Sequence, residues 1–362
     1  MQSKPTSAIP AGQSHLEEYS RQSFDPNYFS VQESSYDNPE VLVEITSKCN
    51  FACDYCSSSF KERSKGNMSI ELFEHIARQL PDITNKPIRL HIDGEPTAHP
   101  KFYELAKIVN NYGMRIALAT NGSIMDPKWL DLKMNMLISI STNPEELRVR
   151  HRGLDFDAYV DNIIKYLRHW NQVTTDQIIK FQVMYYLSPS NNKYKDYTAK
   201  KLFFIAGLIK EAGLDIFYSD KCEMDFDKFG QYTLTKSLNE IIIFCKHNVA
   251  KSGLYPENGV RNEYVPTETG FCDSSWKRLA ILYDGTVSYC CIDLSGRTAY
   301  TEPKDIWESK LKDIWMNHPT ITKVRNNFTK GKITHEVCKT CLAPCVNNQR
   351  FISTSFPCDF QS

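Results

Sequence analysis

Cys49-Asn50-Phe51-Ala52-Cys53-Asp54-Tyr55-Cys56 follows an apolar, strand-like run, Val41-Leu42-Val43-Glu44-Ile45. Three cysteines at spacing C-x3-C-x2-C put three thiolates within reach of one inorganic cluster. Such a set suits a [4Fe–4S] cubane, which cysteine sulfurs hold. A cubane has four irons, so three protein ligands leave one iron open to a cofactor or substrate. Zinc or a disulfide staple are the competing readings. Structural zinc sites favour paired C-x2-C units closed by two further Cys or His ligands. Here the first two cysteines are separated by three residues, and no His follows closely.

The rest of the chain narrows the class. Its 362 residues suffice for one large domain and a smaller one. Hydrophobic residues make up 41% and charged residues 24%, the composition of a soluble globular protein. Formal net charge is zero, so no basic footprint points to nucleic acid. No apolar run approaches membrane-spanning length. Met1-Gln2-Ser3-Lys4-Pro5-Thr6 lacks an apolar signal core. These features predict a cytoplasmic protein without a membrane partner. Twelve cysteines are many for such a chain, and in a reducing compartment they point to metal binding or catalysis.

Residues 1–38 are rich in Ser, Gln, Pro and Asn and read as a flexible leader. Residues 39–225 alternate strand and helix patterns. Strands are expected at Val41–Ile45, Ile88–Asp93, Arg115–Thr120, Met136–Ser141, Ile179–Met184 and Asp215–Tyr218. Helices are expected from Ser69, over 102–112, 156–170 and 199–212, with Gly113 ending the second. Alternating strands and helices imply a parallel sheet. Six such units are too few for a closed eight-stranded barrel. In folds of this type the chemistry sits at the C-terminal ends of the strands. Residues 226–264 read as a bridge, with a helix over 238–247. Residues 265–362 form a cysteine-rich module in which Asp284-Gly285 turns a β-hairpin.

The cysteine spacing resembles the signature of radical S-adenosylmethionine (radical SAM) enzymes, and further motifs join it. Asp93-Gly94-Glu95-Pro96 is similar to that family's Gly-Gly-Glu-Pro motif, with Asp93 in place of the first Gly. Thr120-Asn121-Gly122 looks like its third-strand turn. The C-terminal pattern, Cys272, Cys290, Cys338-x2-Cys341-x3-Cys345 and Cys358, resembles the SPASM and twitch extensions. The second half of a full SPASM pattern is longer than the one found here.

The resemblance implies a partial (β/α)6 TIM-like barrel followed by an auxiliary-cluster domain. It implies reductive cleavage of S-adenosylmethionine to a 5′-deoxyadenosyl radical and hydrogen abstraction from a substrate. Cys49, Cys53 and Cys56 would hold the catalytic [4Fe–4S] cluster. Cofactor contacts would come from Tyr55, Gly94, Glu95, Pro96, Thr120, Asn121, Ser139, Ser141, Arg152 and Gln182. Cys272, Cys290, Cys338 and Cys341 would hold one auxiliary cluster, with Cys345 and Cys358 as substitutes or as part of a second. That makes two clusters, or three. The resemblance further implies a reductase or a flavodoxin- or ferredoxin-type electron donor.

Three reactions compete: oxidation, epimerisation and radical cross-linking. Epimerisation needs a hydrogen-atom donor outside the clusters, and Cys222, just after the sixth expected strand, is the candidate. A free cysteine is more often a small buried apolar group. The substrate expectation is a small molecule such as a sugar or aminocyclitol. The alternative is a peptide matured by cross-linking, thioether formation or epimerisation. A zinc-stabilised binding protein remains the non-enzymatic reading.

Overall fold

The structure is a computed structural model that describes residues 37–53, 56, 62–185, 193–214, 231–236, 239–247, 270–290, 293 and 295–339. Five strands open the chain: β1 (Glu40–Val43), β2 (Ile88–Arg89), β3 (Ile116–Thr120), β4 (Met134–Ile140) and β5 (Gln177–Tyr185). Between them run helices α1 (Ile70–Ala77), α2 (Phe102–Asn111), α3 (Pro144–Arg150) and α4 (Phe156–Gln172). Then come α5 (Lys193–Glu211), β6 (Gln231–Lys236), β7 (Asn239–His247), α6 (Ser274–Lys277), β8 (Arg278–Ile281) and β9 (Val287–Ser288). Four C-terminal helices follow: α7 (Asp305–Glu308), α8 (Leu311–Asn317), α9 (Pro319–Thr329) and α10 (Glu336–Lys339).

The nine strands form one sheet in the order β6-β7-β5-β4-β3-β2-β1-β8-β9. The seven from β7 to β8 are parallel, and β6 and β9 pair antiparallel at the two ends. This is the open, mainly parallel α/β architecture that the strand–helix alternation predicts.

Local chemistry explains the helices. Ser69, Asn143 and Asp155 cap α1, α3 and α4, each side chain accepting a backbone N–H two or three residues into the first turn. Pro144 occupies the first turn of α3, where its missing N–H costs nothing. Gly113 ends α2 at φ 77°.

Alternate strand residues pack outwards against the helices. Val43, Ile116, Leu118, Met136, Ile138, Ile179 and Phe181 are all buried in that core. Period-two alternation therefore turns Glu44, Ala117, Ser139, Lys180 and Gln182 to the opposite, inner face.

Two expectations are corrected. Residues 238–247 form no helix; Asn239–His247 is strand β7, parallel to β5. The run Ile241-Ile242-Ile243-Phe244 is β-branched and aromatic, which favours an extended chain. The sixth strand expected at 215–218 lies outside the described residues, and β7 occupies the position beside β5. The second expected strand is also shorter, covering only Ile88–Arg89.

The C-terminal hairpin is continuous with the first sheet. Strand β8 pairs in parallel with β1, Val41 opposite Leu279 and Val43 opposite Ile281. Gly285 supplies the turn to β9 at φ 90°. Arg325 is buried beneath this layer. Its guanidinium donates to the carbonyls of Ser275 and Trp315, at 2.8 Å each, and lies 4.2 Å from the Trp315 ring centroid.

Candidate active site

The polar residues gather where β1 to β4 end. The cysteine loop leaves β1. Phe51 N–H points at Cys49 Sγ at 3.4 Å, and Cys56 N–H donates to the Cys53 carbonyl at 2.9 Å. Burial pushes the Cys49 thiol up to about 12, with smaller contributions from Glu95, Cys53 and Cys56. A thiol so placed stays protonated until a metal displaces the proton. Among the described residues, no three His, Cys, Asp or Glu side chains converge on the site of a single metal ion. A cubane spreads its cysteines over different irons, so its ligand set is wider. One short loop carrying Cys49, Cys53 and Cys56 fits that requirement.

The loop after β2 presses against the cysteine loop. Gly94 has φ 77°, and a Cβ there would lie 2.5 Å from the Thr46 carbonyl oxygen and 2.6 Å from that of Lys48. Only glycine permits this approach. Glu95 N–H then donates to the Lys48 carbonyl at 2.8 Å.

The Glu95 carboxylate is buried. Oε1 accepts from the Thr97 N–H at 3.1 Å and its hydroxyl at 2.8 Å, and Oε2 accepts from Asn121 N–H at 2.6 Å. Burial raises its pKa, against the lowering effect of these donors. Pro96 begins the 3₁₀ turn that Glu95 caps. Glu95 thus ties the end of β2 to the turn after β3.

That turn is bound on three sides. Thr120 Oγ1 accepts from Gly122 N–H at 3.1 Å. Asn121 donates through Nδ2 to Asn50 Oδ1 of the cysteine loop at 2.9 Å. The Asn121 carbonyl accepts from the Tyr159 hydroxyl at 3.0 Å, and that hydroxyl accepts from Ser141 N–H at 3.2 Å. One buried tyrosine on α4 therefore joins the ends of β3 and β4.

At the end of β4, Arg150 Nη1 donates to Ser141 Oγ at 2.9 Å, and Nη2 lies 3.5 Å from Ser139 Oγ. Arg150 is buried, its guanidinium 5.3 Å from the Phe51 ring centroid, and its carbonyl accepts from Ala52 N–H at 3.0 Å. Arg152 is exposed. Gln182 sits on β5 opposite Ser139.

A buried ion pair braces α3 from behind. Glu146 Oε1 pairs with Lys201 of α5, while Oε2 accepts from the Thr142 N–H at 2.8 Å and its hydroxyl at 2.9 Å.

Of the residues that the sequence singles out, the ends of β1 to β5 bring together Cys49, Cys53, Cys56, Gly94, Glu95, Pro96, Thr120, Asn121, Ser139, Ser141 and Gln182. Cys272, Cys290 and Cys338 stand apart in the C-terminal region. Tyr55, Cys222, Cys341, Cys345 and Cys358 lie outside the described residues. Sequence reasoning passed over Asn50, Tyr159 and the brace of Glu146 with Lys201. Arg152, the expected cofactor contact, is exposed, and Arg150, two residues before it, is buried. The signal for α3 was present in Asn143-Pro144-Glu145-Glu146, a cap followed by a first-turn proline and acidic residues.

Residues 43–182 match the radical SAM superfamily, and residues 272–342 match the SPASM iron–sulfur cluster-binding domain. The chain is 24% identical over 305 residues to the tungsten-containing aldehyde ferredoxin oxidoreductase cofactor-modifying protein of Pyrococcus furiosus, across 76% of this chain and 80% of that protein. It is 31% identical over 110 residues to the mycofactocin maturase MftC of Mycobacterium ulcerans, 28% of either chain. The fold is shared with SuiB of Streptococcus suis, solved with its precursor peptide SuiA, at a TM-score of 0.51 and 15% identity over 84% of this chain and 70% of that one. No helix among the described residues is long and apolar enough to cross a membrane. The chain is a radical SAM enzyme with a C-terminal SPASM domain, and its cofactors are [4Fe–4S] clusters and S-adenosylmethionine.

Proposed function

We propose that this enzyme oxidises a polar small molecule, such as a sugar or aminocyclitol, at the open end of the sheet. Cys49, Cys53 and Cys56 hold the catalytic cluster. Cys272, Cys290, Cys338 and Cys341 hold one auxiliary cluster, with Cys345 and Cys358 as the alternative ligands. When bound and reduced by a flavodoxin- or ferredoxin-type donor, the catalytic cluster supplies the electron that cleaves S-adenosylmethionine to methionine and a 5′-deoxyadenosyl radical. With an auxiliary cluster as electron acceptor, loss of a hydrogen atom, one electron and one proton from the substrate would amount to a net two-electron oxidation.

The protein's own residues bind and orient. Gly94, Glu95 and Pro96, with Thr120 and Asn121, shape the pocket for the methionine amino group. Arg150, held by Ser139 and Ser141, is the cation for the methionine carboxylate, and Arg152 lies outside that clamp. Gln182 faces the adenosine.

The observation that carries the choice of a polar substrate is the inner face of the sheet. Near the strand ends it presents Glu44, Ser139, Lys180 and Gln182, while Asp93 and His91 continue the alternation of β2. Glu44 is fully buried and ion-paired to Arg63, and burial raises its pKa despite that partner. Buried charges hold a cavity polar, which suits hydroxyl and amino groups better than an apolar ligand.

Peptide maturation is the second reading, favoured by the 31% identity to a mycofactocin maturase over 110 residues. Anaerobic purification should give about eight irons per chain, four for each cluster. A second auxiliary cluster would bring the count to about twelve. Deuterated sugars, aminocyclitols and peptides are then offered to the reduced enzyme, and deuterium is sought in 5′-deoxyadenosine. Label from a sugar or aminocyclitol supports oxidation of a small molecule; label from peptides alone replaces it with maturation.

A further inference from the structure

Tyr289 precedes Cys290 and is buried, 4% exposed. Its hydroxyl stands 3.9 Å from Cys338 Sγ, a contact between residues 49 apart in the chain. The ring is fixed on two sides. It stacks on Tyr300, centroids 6.4 Å apart and planes 26° from parallel, and meets His335 edge-on at 6.1 Å and 84°. His335 also fixes the sulfur's backbone, because its carbonyl accepts from Cys338 N–H at 2.9 Å. The same residue therefore sets the position of both the phenol and the cysteine.

We propose that Tyr289 is a positioning residue for the auxiliary cluster, donating a hydrogen bond to the Cys338 sulfur and raising the cluster's reduction potential. The inference rests on Cys338 being an auxiliary-cluster ligand. In a phenol–thiol pair either atom can donate. Once the sulfur binds iron it is a thiolate without a proton, and the phenol is the only donor left. Reduction adds negative charge to the cluster and its sulfurs. A donor aimed at one of those sulfurs holds the reduced state more tightly than the oxidised one. Its removal therefore moves the potential in the negative direction. A more positive auxiliary cluster is the better acceptor for the electron that substrate oxidation releases.

Tyr289→Phe keeps the ring and its packing and deletes only the hydroxyl. Tyr300→Phe is its control. The Tyr300 hydroxyl is also buried and has no hydrogen-bond partner among the described residues. Reconstituted holoenzymes are compared by iron and sulfide content and by EPR-monitored redox titration of both clusters. The expected result is wild-type iron in both variants and a more negative auxiliary midpoint in Tyr289→Phe alone. The catalytic-cluster midpoint and the yield of 5′-deoxyadenosine without substrate should be unchanged. An unmoved auxiliary midpoint in Tyr289→Phe, an equal shift in Tyr300→Phe, or loss of four irons from Tyr289→Phe would overturn the tuning role. Cys338→Ala that keeps all its iron would instead overturn the ligand assignment beneath it.

Discussion

Cys49, Cys53 and Cys56 come from eight consecutive residues, whereas Cys272, Cys290 and Cys338 come from three separate segments of the C-terminal region. The first set is local in sequence but leans on its neighbours. Asn50, Gly94, Glu95, Asn121, Tyr159 and Arg150 lace the cysteine loop to the ends of β2, β3 and β4. The second set is distant in sequence, and in its region Tyr289 reaches Cys338 while His335 meets both. Damage should therefore spread among strand ends in the N-terminal site and remain confined in the C-terminal one.

The largest effect tests that separation directly. Cys49→Ala/Cys53→Ala/Cys56→Ala should abolish 5′-deoxyadenosine formation and remove about four irons while the auxiliary four remain. Cys272→Ala/Cys290→Ala should do the reverse, leaving cofactor cleavage intact. Loss of all iron from either variant would break the comparison.

Next is Lys201→Met, which strands the buried Glu146 carboxylate. Breaking such a pair typically costs about 3–5 kcal/mol, read by denaturant unfolding. Because Glu146 and Arg150 share α3, S-adenosylmethionine affinity should fall with stability. Lys201→Met/Glu146→Leu should recover much of the lost stability. A single variant as stable as wild type would show that Lys201 does not brace α3.

Gly94→Ala forces a Cβ towards two carbonyl oxygens at a left-handed backbone position, so a loss of roughly 2–3 kcal/mol in unfolding free energy is expected. The cysteine loop should lose iron with it, whereas the auxiliary iron should stay.

Arg150→Met should weaken S-adenosylmethionine binding about 10–100-fold, the worth of a charge-assisted hydrogen bond. Arg152→Met, at an exposed position, should stay within about twofold. Calorimetric titration of the reconstituted enzyme ranks the two, and the reverse order would transfer the clamp to Arg152.

The smallest effect is a pH dependence at His99, below the Glu95 turn. Its Nδ1 accepts from Lys101 N–H at 3.0 Å, so Nε2 carries the proton towards the Met68 carbonyl at 3.1 Å. Burial lowers its pKa from 6.5. A depressed folded value means the neutral ring's contribution is complete above pH 6.5 and is lost as pH falls through the lowered value. His99→Gln should flatten the stability profile of the metal-free protein on that acid side. An identical profile would show that His99 titrates alike in the folded and unfolded chain.

Much of this molecule was legible because its signals are local. Strand alternation placed β3, β4 and β5 within about two residues, and a C-x3-C-x2-C loop needs no tertiary knowledge to be seen. The Gly94 turn and the Asp284-Gly285 hairpin were equally visible from residue type. What escaped was set by tertiary context. Nothing in the sequence tells that Arg150, the last residue of α3, is buried while Arg152, just past the helix, is exposed. Leu238–His247 contains both helix- and strand-compatible residues, and pairing with β5 decided it. The bond between Tyr289 and Cys338 spans 49 residues and follows from no periodicity.

The pairing of β8 with β1 gives the C-terminal region a second duty. Strand β1 would otherwise end the parallel sheet with a row of unpaired amide and carbonyl groups, a template for association with other chains. The segment that carries the auxiliary cysteines is thus also the cover of an aggregation-prone edge. Stripping iron from it and deleting it are different perturbations: the first leaves the edge of β1 covered, while the second exposes an adhesive strand. The physical integrity of the catalytic half therefore depends on a region whose chemistry it can do without.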